Sequence, residues 1–139
     1  MPFKRILVAL NGEPEGEQAL QVAVALASAL QSQLQAIAVE GRLPKYASTI
    51  GEVDDAKHQR DEFLQAATRQ AQTHATEAGI ELDVEYAAGA PTDAIVRVAR
   101  RDACDLIVVG YHKHLFGGLA DHLGHHAPCP VLVVRGEHE

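Results

Sequence analysis

Residues 106–109, Leu-Ile-Val-Val, form an unbroken apolar run that stops at Gly110, residues 6–10 and 131–134 repeat that texture, and 34–39 follow it save for Gln35. A strand with one wet face alternates polar and apolar residues, whereas a strand covered on both faces is apolar throughout. Runs of this length therefore demand a sheet shielded on two sides. Between them the period changes. Ala19, Leu20, Ala23, Leu26, Ala27 and Leu30 recur at helical spacing behind Pro14, with Glu15 and Glu17 in the first turn, where the helix dipole favours negative charge. A long helix is predicted over 52–78, its stripe made by Val53, Ala56, Phe63, Leu64, Ala67, Ala71, Ala75 and Ala78, with Gly79 as its stop.

The remaining segments complete the alternation. Residues 82–87 read as a strand, Thr92 or Asp93 is expected to cap a helix running to about Arg101, and a short helix is expected over 118–125. In that third helix Ala94, Ile95, Val98 and Ala99 are expected to face inward. The order β-α-β-α-β-α-β-α-β implies an α/β fold: a parallel sheet, right-handed crossovers and helices on both faces. The 139 residues suit one domain, 1–139, with one well-buried core. Such sheets bind ligands outside the carboxyl ends of their strands, where the winding direction reverses. If the first and fourth strands are neighbours there, Asn11, Val39 and Gly110 converge on one crevice.

Charge and composition narrow the partners. A net charge of −7 opposes non-specific nucleic-acid binding, and the only basic grouping is Arg97, Arg100 and Arg101. No segment has membrane-spanning length, and the amino terminus enters a strand pattern without a secretory leader, so a cytoplasmic protein is expected. The two cysteines, Cys104 and Cys129, offer no metal or redox spacing and read as reduced, packed thiols. His122 and His126 are spaced to share a helix face, and His112, His114 and His125 lie nearby, yet no carboxylate motif accompanies them; no metal site is expected. Ser28, Ser32, Ser48 and Cys129 lie in no elbow or triad pattern, so no catalytic residue is assigned and no enzyme is expected.

The glycine loop after the fourth strand carries the binding hypothesis. Gly117 and Gly118 stand where the next helix begins, and unpaired N–H groups there carry the positive end of a helix dipole. Gly117, Gly118 and Leu119 can present amides to a phosphate, Ala9 and Leu10 can form an apolar wall, and Lys113 between His112 and His114 can add positive charge. As an ordinary glycine turn the same loop would be empty of ligand. Residues 46–49 in the long loop 41–51 could close over a bound molecule.

Four local patterns, ILVALNG at the first strand, GAPTDAIVRVA at the third βα junction, DLIVVG at the fourth strand and HAPCPVLVVR at the end, together resemble the universal stress protein family over almost the whole length. That resemblance implies an open five-stranded parallel sheet of Rossmann-like type with strand order 3-2-1-4-5. It implies adenine-nucleotide binding, with Val39 at the adenine-contacting position, and a homodimer built through Val131, Leu132, Val133 and Val134. The sequence also departs from the family. Gly110 matches the first glycine of the phosphate motif, Lys113 replaces the second, and Gly117-Gly118 stands for the terminal glycine and hydroxyl residue after a shortened loop. Asn11 occupies the place of an aspartate and cannot offer negative charge to a hard cation. AMP, ADP or a cyclic adenine nucleotide is therefore favoured over Mg-ATP. The expected role is regulatory, through an unidentified protein partner; a dimeric interaction module that binds no nucleotide is the alternative.

Overall fold

A computed structural model describes residues 3–10, 14–39, 50–111 and 118–135. Five strands alternate with four helices: β1 (Arg5–Leu10), α1 (Pro14–Leu30), β2 (Gln33–Val39), α2 (Ile50–Glu77), β3 (Leu82–Ala87), α3 (Pro91–Arg101), β4 (Leu106–Gly110), α4 (Gly118–His126) and β5 (Val131–Val134). All strand pairs are parallel, in the order β3-β2-β1-β4-β5. The expected architecture and order are found.

Two cores account for the apolar strands. On one face Ile6, Val8, Leu10, Ala36, Ala38, Leu106 and Val108 pack with α1 and α2 through Ala19, Leu20, Ala23, Val24, Leu64 and Ala71. On the other face Leu7, Ile37, Ile107 and Val109 pack with α3 and α4 through Ile95, Val98, Ala99 and Leu123. Alternate residues of β1 and β4 thus face opposite helix layers, which is why the runs contain no polar position. In α3 the four residues expected to face inward, Ala94, Ile95, Val98 and Ala99, are buried.

The helix ends share one device. Backbone N–H groups of Ser32, Ile80 and Cys104 donate to the carbonyls of Ala27, Ala75 and Ala99 at 2.8–2.9 Å, closing α1, α2 and α3 with the same wide turn. The residue before each donor has positive φ: Gln31 at 55°, Gly79 at 76° and Ala103 at 54°. Only α2 has a glycine there, so only that stop was readable from the sequence.

Two details correct the sequence reading. Neither Thr92 nor Asp93 caps α3: the N-cap is Ala90, which offers no side-chain bond, and Pro91 opens the helix. Proline needs no N–H partner and arrives with helical φ, so it starts the helix earlier and leaves Asp93 inside the first turn. Ala78, expected on the apolar stripe of α2, is exposed beyond the helix end at Glu77. The last strand β5 forms one edge of the sheet, with Val131 and Val133 packed toward α3 and α4, Val134 toward α1, and Leu132 at 37% exposure. Among the described residues no helix is long and apolar enough to cross a membrane.

At the amino ends of the strands the Asp105 carboxylate accepts the backbone N–H groups of Lys4 at 2.8 Å and Arg5 at 2.9 Å, tying β4 to β1. At the far sheet edge Tyr86 donates its hydroxyl to Thr68 at 3.0 Å, and Thr68 donates to the Leu64 carbonyl at 2.8 Å, so the buried hydroxyl is fully partnered.

Candidate functional site

The sheet order creates a crevice by geometry alone. The chain winds outward from β1 to β2 and β3, then returns so that β4 pairs with the other side of β1 through Ile6, Leu7 and Val8 opposite Leu106, Ile107 and Val108. The helices that follow β1 and β4 therefore lie on opposite faces of the sheet, α1 on one and α4 on the other. A ligand can lie at the carboxyl ends of these two strands.

The pleat decides which predicted residues meet. Ala9, Val39 and Leu119 are half-buried and pack against the α3–α4 core, so they share one side of the crevice. Ala87 joins them as the register partner of Val39. Leu10 does not: it is 4% exposed and belongs to the α1–α2 core, because one residue along a strand reverses the face. Gly110 ends β4, half-buried and paired with Val134. Gly118 opens α4, so the first amides of that helix begin just beyond the β4 end. Asn11, His112, Lys113 and Gly117 lie outside the described residues, as do His114 and residues 46–49.

Sequence reasoning missed one rim feature. The Tyr111 N–H donates to the Val134 carbonyl at 2.8 Å, and the Arg135 guanidinium stands 4.3 Å from the centre of the Tyr111 ring. This stacked pair fixes the backbone directly after Gly110. An aromatic residue following a strand-ending glycine and a basic residue following the last strand were its traces in the sequence.

Nucleophilic chemistry finds little support in the thiols. Burial is the main cause that pushes Cys104 up to about 11, with the Asp102 carboxylate adding to it, and burial also raises Cys129. Both cysteines are free and stay protonated near neutrality, packed as small apolar groups. The His122 and His126 rings lie 6.1 Å apart, but among the described residues no three His, Cys, Asp or Glu side chains gather as a metal site would require. His125 instead faces Asp121, one turn away at 3.7 Å.

The most polar cluster lies at the opposite end of α3. Arg101 donates to Glu85 and to Asp102, and the Gln35 amide donates to Asp102 at 2.6 Å. These bonds, from Arg101 first and Gln35 second, hold Asp102 down at about 2. Arg101 and Gln35 both donate to carboxylates there, so the cluster fastens α3 to β2 and β3.

Comparison with known proteins decides the family. A sequence profile described as the Universal stress protein family matches residues 2–135. This chain belongs to that family. It is similar to the universal stress protein YxiE of Bacillus subtilis, at 30% identity over 96% of this chain and 99% of the relative. Among solved structures, UspA from Lactobacillus plantarum superposes with a TM-score of 0.83 at 25% identity, covering 97% of this chain and 99% of that one. A universal stress protein crystallised in complex with cAMP has the same fold, with a TM-score of 0.75 at 22% identity over 96% of this chain and 98% of its own.

Proposed function

We propose that this universal stress protein is a regulatory protein that binds an adenine nucleotide at the carboxyl ends of β1 and β4. The adenine lies against Ala9 and Val39, and the phosphate meets the amides of Gly118 and Leu119 at the start of α4. The observation that carries this reading is the coincidence, at one sheet end, of an apolar ledge and a helix amino terminus beside the strand crossover. Structures of the same fold held cAMP, AMP and dAMP, which supports an adenylate as the class. In this reading Gly110 leaves room for the ligand, Leu10 contributes only main chain, and Asn11, His112, Lys113 and Gly117 complete the shell.

The loop between Gly110 and Gly118 is short, and Lys113 interrupts its glycine pattern, so a single phosphate fits better than a triphosphate. Asn11 gives magnesium no carboxylate. The function is binding without turnover, and the location cytoplasmic. Denaturing the purified protein and analysing the released small molecules, followed by calorimetry, tests it. AMP, ADP or cAMP should bind more tightly than Mg-ATP, and Gly118→Leu should abolish binding with the circular dichroism unchanged. Absence of heat with all four nucleotides would instead leave the interaction-module reading, which the interrupted glycine pattern favours.

The same proposal includes a homodimer formed through β5, where exposed Leu132 marks an edge strand that a second copy would cover. Multi-angle light scattering at micromolar concentration should give twice the monomer mass, and Leu132→Lys should give the monomer. A monomeric wild type would refute it.

A further inference from the structure

The outer surface between α3 and α4 holds an open groove of about 770 Å³ whose walls include Val96, Arg97, Arg100, His122 and His126. We infer that this groove is a docking surface for an acidic, partly apolar peptide segment of a partner protein. It is distinct from the crevice at the strand ends and does not depend on nucleotide binding there.

Charge is the first argument. The chain carries a net −7, yet its one basic grouping falls on a single helix face. Arg97, one turn before Arg101 on α3, makes no hydrogen bond or ion pair among the described residues. Among the described residues Arg100 is engaged only by the His126 carbonyl, a neutral acceptor at 3.3 Å. Arg101 differs: Glu85 and Asp102 neutralise it, so it supplies no free charge. Asp93, one turn before Arg97 on α3, is the carboxylate that lines the groove among the described residues. Two exposed guanidinium groups without a salt bridge among the described residues, Arg97 feeling the Glu85 carboxylate only at a distance, select an anionic partner on this acidic molecule.

Shape and lining choose the kind of anion. The eleven residues of α3 give the groove a length of roughly 16 Å, room for about five residues of extended peptide. The basic side chains on both walls are exposed, so a small molecule would be covered on one side only, whereas small-molecule sites enclose most of their ligand. Half-buried Val96 and the arginine stems give the floor an apolar stretch that a leucine-like side chain can cover, while carboxylates bond the guanidinium planes. A nucleic-acid strand would meet the repulsion of the remaining surface.

Nitrogen-15 spectra of the full chain, titrated with an acetylated hexapeptide of alternating glutamate and leucine, test the proposal. Saturable shifts should centre on α3 and α4. Affinity should fall about tenfold in R97E/R100E and fall again as salt is raised. Arg69→Glu, an exposed charge reversal on α2, should leave it nearly unchanged; should the double reversal fail to fold, R97E alone provides the comparison. Absence of saturable binding, equal losses in R97E and R69E, or tighter binding of a six-nucleotide single-stranded RNA than of the peptide would each overturn it.

Discussion

Ala103 carries a left-handed backbone, φ 54°, that its methyl group disfavours, because the wide turn closing α3 needs the Cys104 amide to reach Ala99. Replacing it with glycine should therefore stabilise the protein by about 0.5–1 kcal/mol, read as a higher midpoint in denaturant. Gly79 shows the same conformation with the residue suited to it, and that stop alone was legible in the sequence; Gln31 and Ala103 leave no chemical trace of their geometry. Asp105 makes a second prediction. Burial pushes its carboxyl up, but the N–H groups of Lys4 and Arg5 outweigh burial, and the group sits below its ordinary value of 3.8. Its contribution to stability is thus present above that value and is lost as pH falls through the lowered folded one. Asp105→Asn should cost about 1 kcal/mol at pH 7, with the difference from wild type shrinking as acid protonates the folded carboxyl below its ordinary range. A constant difference across that range would contradict the role given to the charge.

At the scale of elements, the apolar runs were informative because both sheet faces are covered, so each strand was marked by what it lacks. Segment 82–87, which alternates, was legible for the opposite reason: β3 is an edge strand with Tyr86 51% exposed. The start of α3 was misread because Thr and Asp are strong caps in general, while the proline beside them fixed the boundary. The assignment of Leu10 to the binding wall failed on the pleat, since sequence neighbours in β1 serve different cores. Helix α4 is short, and Leu123, with no exposed surface, anchors it to the core shared with α3. Leu123→Ala should cost about 3 kcal/mol in equilibrium unfolding and, by loosening the helix that presents Gly118, should also weaken adenylate binding. Loss of stability with undiminished affinity would separate α4 from the site.

For the whole molecule, the parallel sheet followed from alternation, the strand order from the family resemblance, and the position of the crevice from the order. What stayed illegible was which side chains reach that crevice, because this depends on register and on loops rather than on composition. The Tyr111–Arg135 stack illustrates it: the two residues are distant in sequence and meet only because β4 and β5 are paired. The central claim is the location of the adenylate, and amide shift mapping during an AMP titration reads that location directly. The account predicts saturable shifts at Ala9, Val39, Gly110, Gly118 and Leu119, with Arg97 and His122 undisturbed. Shifts gathered along the α3–α4 groove, or none at the strand ends at saturating AMP, would contradict it.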